Sequence, residues 1–202
     1  MSSEISTIKK IVGLASFSVI SGLVFAFVSH VIAPLVFIVG GHLGVATIYG
    51  LWFIGGTLPA YIMRVRGAAF FGETIASLVE LLLVSPYSIL LYYYGPAQGV
   101  MSEIVFWFRR YKSWGWGTMI VAGMLPVLAA YPFDCLVSPF YPACRDPGYP
   151  PLLHAAIIIT MLISGALFSG ILVKFVVDRL VKAGALRGWP VAKASENKSK
   201  ER

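Results

Sequence analysis

Apolar residues run along this chain in stretches of about twenty, broken by short basic or Pro/Gly-containing segments, with none of the strict alternation that marks a half-buried strand. A helix needs roughly 20 mostly apolar residues to cross about 30 Å of hydrocarbon. On that measure the pattern predicts six transmembrane helices: residues 11–31, 43–63, 68–84, 87–108, 114–131 and 153–177. Between the first two, the apolar run 35–41 is too brief to span. The expected fold is an all-α, integral-membrane bundle, with residues 1–190 forming one membrane domain and 191–202 a polar, disordered tail.

Composition agrees. Hydrophobic residues make up 58% of the 202-residue chain and charged residues 12%, with a mean hydropathy of +0.81. A soluble surface cannot be covered with so few charges, so much of the chain must face lipid. The formal net charge of +7 would suggest nucleic acid in a soluble protein, but here it is topological. An even number of spans places both termini on one side, and of 16 Lys+Arg only Arg145 then falls opposite. The positive-inside bias puts both termini in the cytoplasm of a multi-pass cell-membrane protein, with no nucleic-acid partner. The first span exceeds the roughly 7–15 residues of a signal-peptide core, and is therefore read as a helix.

The segment from Pro132 to Pro151 is proline-rich and reads as a stiff outer loop. It holds both cysteines, Cys135 and Cys144, which either form a disulfide or stay as unpaired thiols packed under the loop.

A carboxylate inside the bilayer costs at least about 2.5–3.5 kcal/mol and so asks for a function or a partner. The third span carries Glu73 and Glu80 on one helical face with Ser77 between them. Glu80, near the outer end, is the leading binding candidate. Glu73, and Glu103 on the fourth span, lie near the inner end and read equally as structural pairs or as site residues. Gln98 sits near the middle of the fourth span and Asp134 at the end of the fifth. Tyr49 and Trp52 recur with Phe53 and Gly56 on one face of the second span, about 9–13 Å inside its outer end by helical rise, deeper than an interfacial aromatic belt. Tyr93, within the run Tyr92-Tyr93-Tyr94, reaches a matching depth. Aromatic faces beside an outer-half carboxylate suit a flat, cationic or polar heteroaromatic solute.

His30, His42 and His154 lie near outer span ends and read as interfacial. No P-loop, HExxH motif or metal-ligand cluster occurs, which points away from an enzyme and from a metal or other cofactor. Small residues at every fourth position, Ser18-Gly22-Ala26 and Ala166-Gly170, mark faces for close helix approach, either within the bundle or toward another subunit.

The combination of Tyr49-Gly50-Leu51-Trp52-Phe53-Ile54, Gly67-Ala68-Ala69, Glu73 to Glu80, Ser85-Pro86, Gln98-Gly99-x-x-x-Glu103 and Ile163-Ser164-Gly165-Ala166-Leu167 resembles the YkoE family. Those proteins are substrate-binding S components of energy-coupling factor (ECF) transporters for thiamin or its hydroxymethylpyrimidine precursor. The sequence departs from the family's pattern at Arg64-Val65-Arg66-Gly67, at Val84 and in the cysteine-bearing loop. The resemblance implies a vitamin site near the outer face of a six-helix bundle, and ATP-driven uptake with a transmembrane coupling subunit and two cytoplasmic ATPases as partners. On thiamin it implies Glu80 as counter-charge, with Asp134 or Glu103 as lesser candidates, Trp52, Tyr49 and Tyr93 as stacking surfaces, and Gln98 on the pyrimidine edge. The alternatives are an S component for another solute, a membrane enzyme acting on lipids or isoprenoids, and a ligand-free structural bundle.

Overall fold

The computed structural model describes residues 6–137 and 149–200, and the described residues are helical apart from short turns. Helix α1 runs over Thr7–Ala46, with a widened, π-type turn at Val28–Ile32 and a break at Gly41, whose φ of 57° is open to glycine. A 3₁₀ turn, Tyr49–Phe53, leads into α2 (Ile54–Met63). Next come α3 (Ala68–Leu82) and α4 (Leu91–Phe108). They are followed by α5 (Trp116–Leu136), α6 (Pro151–Lys182) and α7 (Pro190–Lys200). Three of these, α1, α5 and α6, are long and apolar enough to cross a membrane.

The structure departs from the sequence expectation at element ends. The expected span 43–63 is not one continuous helix: residues 43–46 follow the break at Gly41 as a short helical stretch, and the 3₁₀ turn Tyr49–Phe53 separates them from α2. Pro132, expected in a loop, lies inside the last turns of α5, as proline can in membrane helices when neighbours satisfy the freed carbonyl. The tail expected to be disordered from residue 191 forms α7. Its first turn is anchored by buried Val191 and Ala192, and the preceding Trp189 packs edge-on against Phe17 at 5.3 Å. Cys144 lies outside the described residues, and with it the choice between a bridge to Cys135 and unpaired thiols.

Helix α3 is the hub, packed along α1, α2 and α4, while α6 packs on α5 and on the 49–53 turn. Lipid tails are as apolar as leucine, so close packing selects these contacts more than hydrophobicity does. Glycines set the approach. A Cβ on Gly22 would lie 2.6 Å from the Ala76 carbonyl, and one on Gly170 would lie 2.9 Å from the Met119 carbonyl on α5. Both small-residue stripes therefore face the interior of this bundle, the first against α3 and the second against α5. The opposite face of α1 exposes Val19, Ile20, Leu23 and Phe27, as a lipid-facing surface would.

Candidate functional site

The predicted stripe on α3 does turn inward. Glu73, Ser77 and Glu80 are all buried, at 1%, 2% and 0% exposure. They meet different surroundings. Around the C-terminal half of α3 a cavity of about 280 Å³ opens, near the small end of the ~300–1,000 Å³ typical of ligand sites. Its walls come from the widened turn of α1, the 49–53 turn, α3, α4 and the end of α5.

Of the residues singled out from sequence, Tyr49, Trp52, Glu80, Gln98 and Asp134 line this cavity. Glu80 is held by hydroxyls: Ser29 Oγ and Ser85 Oγ both donate to its Oε1, at 2.5 and 2.8 Å. Its Oε2 is buried without a hydrogen-bond partner. The Ser29 hydroxyl also accepts the Trp52 indole N–H at 3.0 Å, so the aromatic wall and the carboxylate are fixed through one serine. Asp134 receives the phenol of Tyr49 at 2.6 Å on Oδ2 and that of Tyr94 on Oδ1. Trp52 stands edge-on to Tyr49 (5.5 Å, 61°) and perpendicular to Tyr87 (5.9 Å, 89°). The result is an aromatic chamber with two tethered carboxylates and one amide, Gln98.

Three candidates lie elsewhere. Tyr93 is 43% exposed and stacks on Phe133 at 3.8 Å, while its neighbour Tyr94 lines the cavity. Counting back one helical turn from Gln98 lands on Tyr94, a signal that the Tyr92–Tyr94 run obscures. Glu103 is an N-terminal clamp for α3. Its carboxylate accepts the backbone N–H groups of Gly67 (2.7 Å), Ala69 (2.9 Å) and Phe70 (3.3 Å) as well as the Tyr111 hydroxyl. Negative charge there also suits the helix dipole. Burial, followed by that hydrogen bond and the Glu103 charge, holds the Tyr111 hydroxyl above the usual tyrosine range. Glu73 sits outside the cavity against the Gly55–Gly56 backbone, where neither of its oxygens makes a well-formed hydrogen bond. Sequence reasoning did not select Ser29, Ser85, Tyr87 or Tyr94. It also read His42 as interfacial, whereas His42 lines the cavity and contacts the Tyr149 hydroxyl at 3.2 Å. Among the described residues no group of three His, Cys, Asp or Glu side chains comes together as a metal site.

A family described as the permease component of an ABC-type cobalt transport system matches residues 9–129. The chain is 34% identical over 196 residues to a Bacillus subtilis (strain 168) protein described as an HMP/thiamine permease, YkoE, covering 96% of this chain and 94% of that one. A crystal structure of an S component of an ECF transporter superposes with a TM-score of 0.87 at 32% identity, covering 98% of this chain and 96% of the other. Likeness of this extent, in sequence and in fold alike, places the chain in the YkoE family of membrane-embedded ECF-transporter S components.

Proposed function

We propose that this S component captures thiamin, or its hydroxymethylpyrimidine precursor, in the aromatic cavity around Glu80. The observation that carries the reading is a buried carboxylate, Glu80, in the wall of a chamber otherwise lined by Trp52, Tyr49, Tyr87 and Tyr94. Thiamin pairs a permanently cationic thiazolium with a neutral aminopyrimidine. Ring faces of Trp52 and the tyrosines offer stacking and cation–π contact. Glu80 and Asp134 supply negative potential on different walls, so one can meet the cation while the other meets the pyrimidine amino group. Gln98 donates and accepts, which matches a pyrimidine edge bearing both kinds of group. The name of the Bacillus subtilis relative points to the same ligands.

In this reading the helices make six passes, with both termini cytoplasmic and the cavity opening outward. In support, basic segments distant in sequence gather at the end of the bundle away from the cavity. Lys9 bonds the Gly188 carbonyl there, and Lys10, Arg64, Arg66 and Arg110 border one further cavity. The chain carries out no chemistry of its own. A transmembrane coupling subunit and two cytoplasmic ATPases supply the energy, and the bound vitamin crosses when the S component reorients within that assembly.

Calorimetric titration of the detergent-purified protein with thiamin, hydroxymethylpyrimidine and riboflavin tests the reading. One-to-one thiamin binding, weakened at least tenfold in Trp52→Ala and in Glu80→Gln, is expected from the loss of about 1.4 kcal/mol or more of contact energy in each. Binding of the uncharged pyrimidine alone would remove the cation-pairing role of the carboxylates. Heat only with an unrelated vitamin would move the assignment to another solute.

A further inference from the structure

At the other end of α3 a second cavity of about 620 Å³ opens between the start of α1, the α2–α3 turn and the end of α4. Three separate segments bring cations to it: Lys10, Arg64 with Arg66, and Arg110. None of the four forms an ion pair among the described residues, and the adjacent carboxylate, Glu103, is committed to backbone amides and Tyr111. The Arg64 guanidinium lies over the rings of Tyr61 (5.4 Å) and Trp114 (5.6 Å), and its Nε is buried without a hydrogen-bond partner. Arg64, Arg110 and Tyr111 all adopt left-handed backbone conformations, with φ of 52°, 51° and 57°. Each such residue costs about 1–2 kcal/mol and persists only where its surroundings impose it. Two strained turns thus deliver like charges to one hollow, and among the described residues none of them is held in an ion pair.

The same cavity carries an apolar side. Ile11, Leu14 and Phe71 line it, and Ile11 and Phe71 are exposed. A soluble anion has no use for that surface, whereas an amphiphile uses both halves.

We propose that this cavity seats the headgroup of an anionic phospholipid, its phosphate among Arg64, Arg66, Arg110 and Lys10 and its acyl chains along Ile11, Leu14 and Phe71. Basic hollows between membrane helices are suited to such headgroups, each cation contributing electrostatically near the bilayer surface. The assignment is independent of which vitamin the other cavity takes, so the two readings fail separately.

The test uses the full chain in neutral detergent, titrated in turn with phosphatidylglycerol, phosphatidylcholine and inorganic phosphate. Bound lipid is counted by native mass spectrometry and stability is followed by thermal melting. Phosphatidylglycerol is expected to bind and to raise the melting temperature, with little response to the other two. Arg66→Gln and Arg110→Gln are each expected to weaken phosphatidylglycerol binding about fivefold while melting like the parent in the absence of lipid. Lys10→Gln, on a different helix, is expected to give a similar loss and keeps the test open if an arginine variant fails to fold. Equal binding of the two lipids overturns the proposal, as does a phosphatidylglycerol response unchanged in the variants. A response to inorganic phosphate matching that to phosphatidylglycerol overturns it in favour of a soluble-anion site.

Discussion

The Ser29 hydroxyl donates to Oε1 of Glu80 at 2.5 Å and so ties the widened turn of α1 to the C-terminal part of α3. The contact spans 51 positions of sequence and has a second function, since the same oxygen accepts the Trp52 indole N–H. A single serine thereby orients the carboxylate and one aromatic wall. Ser29→Ala should leave both in place but unlatched. Thiamin affinity is expected to fall about tenfold as carboxylate and indole lose their shared tether, and the melting temperature to drop as well, since the buried indole N–H is left without its acceptor at a cost of about 1–3 kcal/mol. Calorimetry on the variant checks this, and undiminished affinity would mean that Glu80 is positioned well enough by Ser85 alone.

Glu103 should behave in the opposite way. It clamps the first turn of α3 through three amides and lines no part of the aromatic cavity. Glu103→Ala is expected to cost about 1–3 kcal/mol of stability, seen as a lower melting temperature, while the folded fraction binds thiamin as before. A selective loss of binding without destabilisation would return Glu103 to the list of ligand contacts.

Where α5 crosses α6, backbone meets backbone. A Cβ on Gly165 would press on the Gly123 carbonyl at 2.3 Å, and no flexible side chain is there to yield. Gly165→Ala is expected to destabilise the bundle by about 1–3 kcal/mol. Gly40 has nothing within 4 Å of its would-be Cβ, so Gly40→Ala should be close to neutral. Parallel melting curves of the two alanine variants make the comparison, and equal stability would show that the helices slide apart at little cost.

The helical pattern and the inward turn of the Glu73–Ser77–Glu80 face follow from hydropathy and the 3.6-residue period, both local properties that a sequence displays. Part of the cavity lining is legible for the same reason: Trp52, Glu80 and Gln98 are polar or aromatic groups in otherwise apolar runs. What the sequence concealed depends on phase and on tertiary partners. The π-type turn at Val28–Ile32 shifts the register of α1, and both Val28 and Ser29 become buried where a regular helix would give a simpler stripe. Tyr93 and Tyr94 differ by one residue, equal to about 100° of helical rotation, and it is Tyr94 that lines the cavity. Glu103 was ambiguous because a carboxylate that caps another helix looks the same in sequence as one that meets a ligand. The α7 helix depends on Trp189 finding Phe17 and Lys9, which no local propensity of a polar segment reveals.

Glu73 and Glu80 provide the sharpest contrast, because they share a helix face and a nearly complete burial. Glu80 has two hydroxyl donors on one oxygen and is part of the lining of the aromatic cavity. Glu73 has the Gly55–Gly56 backbone and no well-formed hydrogen bond. Removing a charge-capable group from an unpartnered buried position relieves a desolvation cost, whereas removing one from a hydroxyl cage that serves a ligand loses contacts. Glu73→Gln is therefore expected to keep thiamin affinity within about twofold and to melt at or above the parent temperature, a change well under 1.4 kcal/mol in binding. Glu80→Gln is expected to lose at least tenfold in affinity at a similar melting temperature. Measuring both variants in one titration series separates burial from function: if Glu73→Gln abolishes binding while the protein remains folded, the inner carboxylate acts on the ligand or on the movement that admits it, and the site extends one turn deeper along α3 than the cavity does.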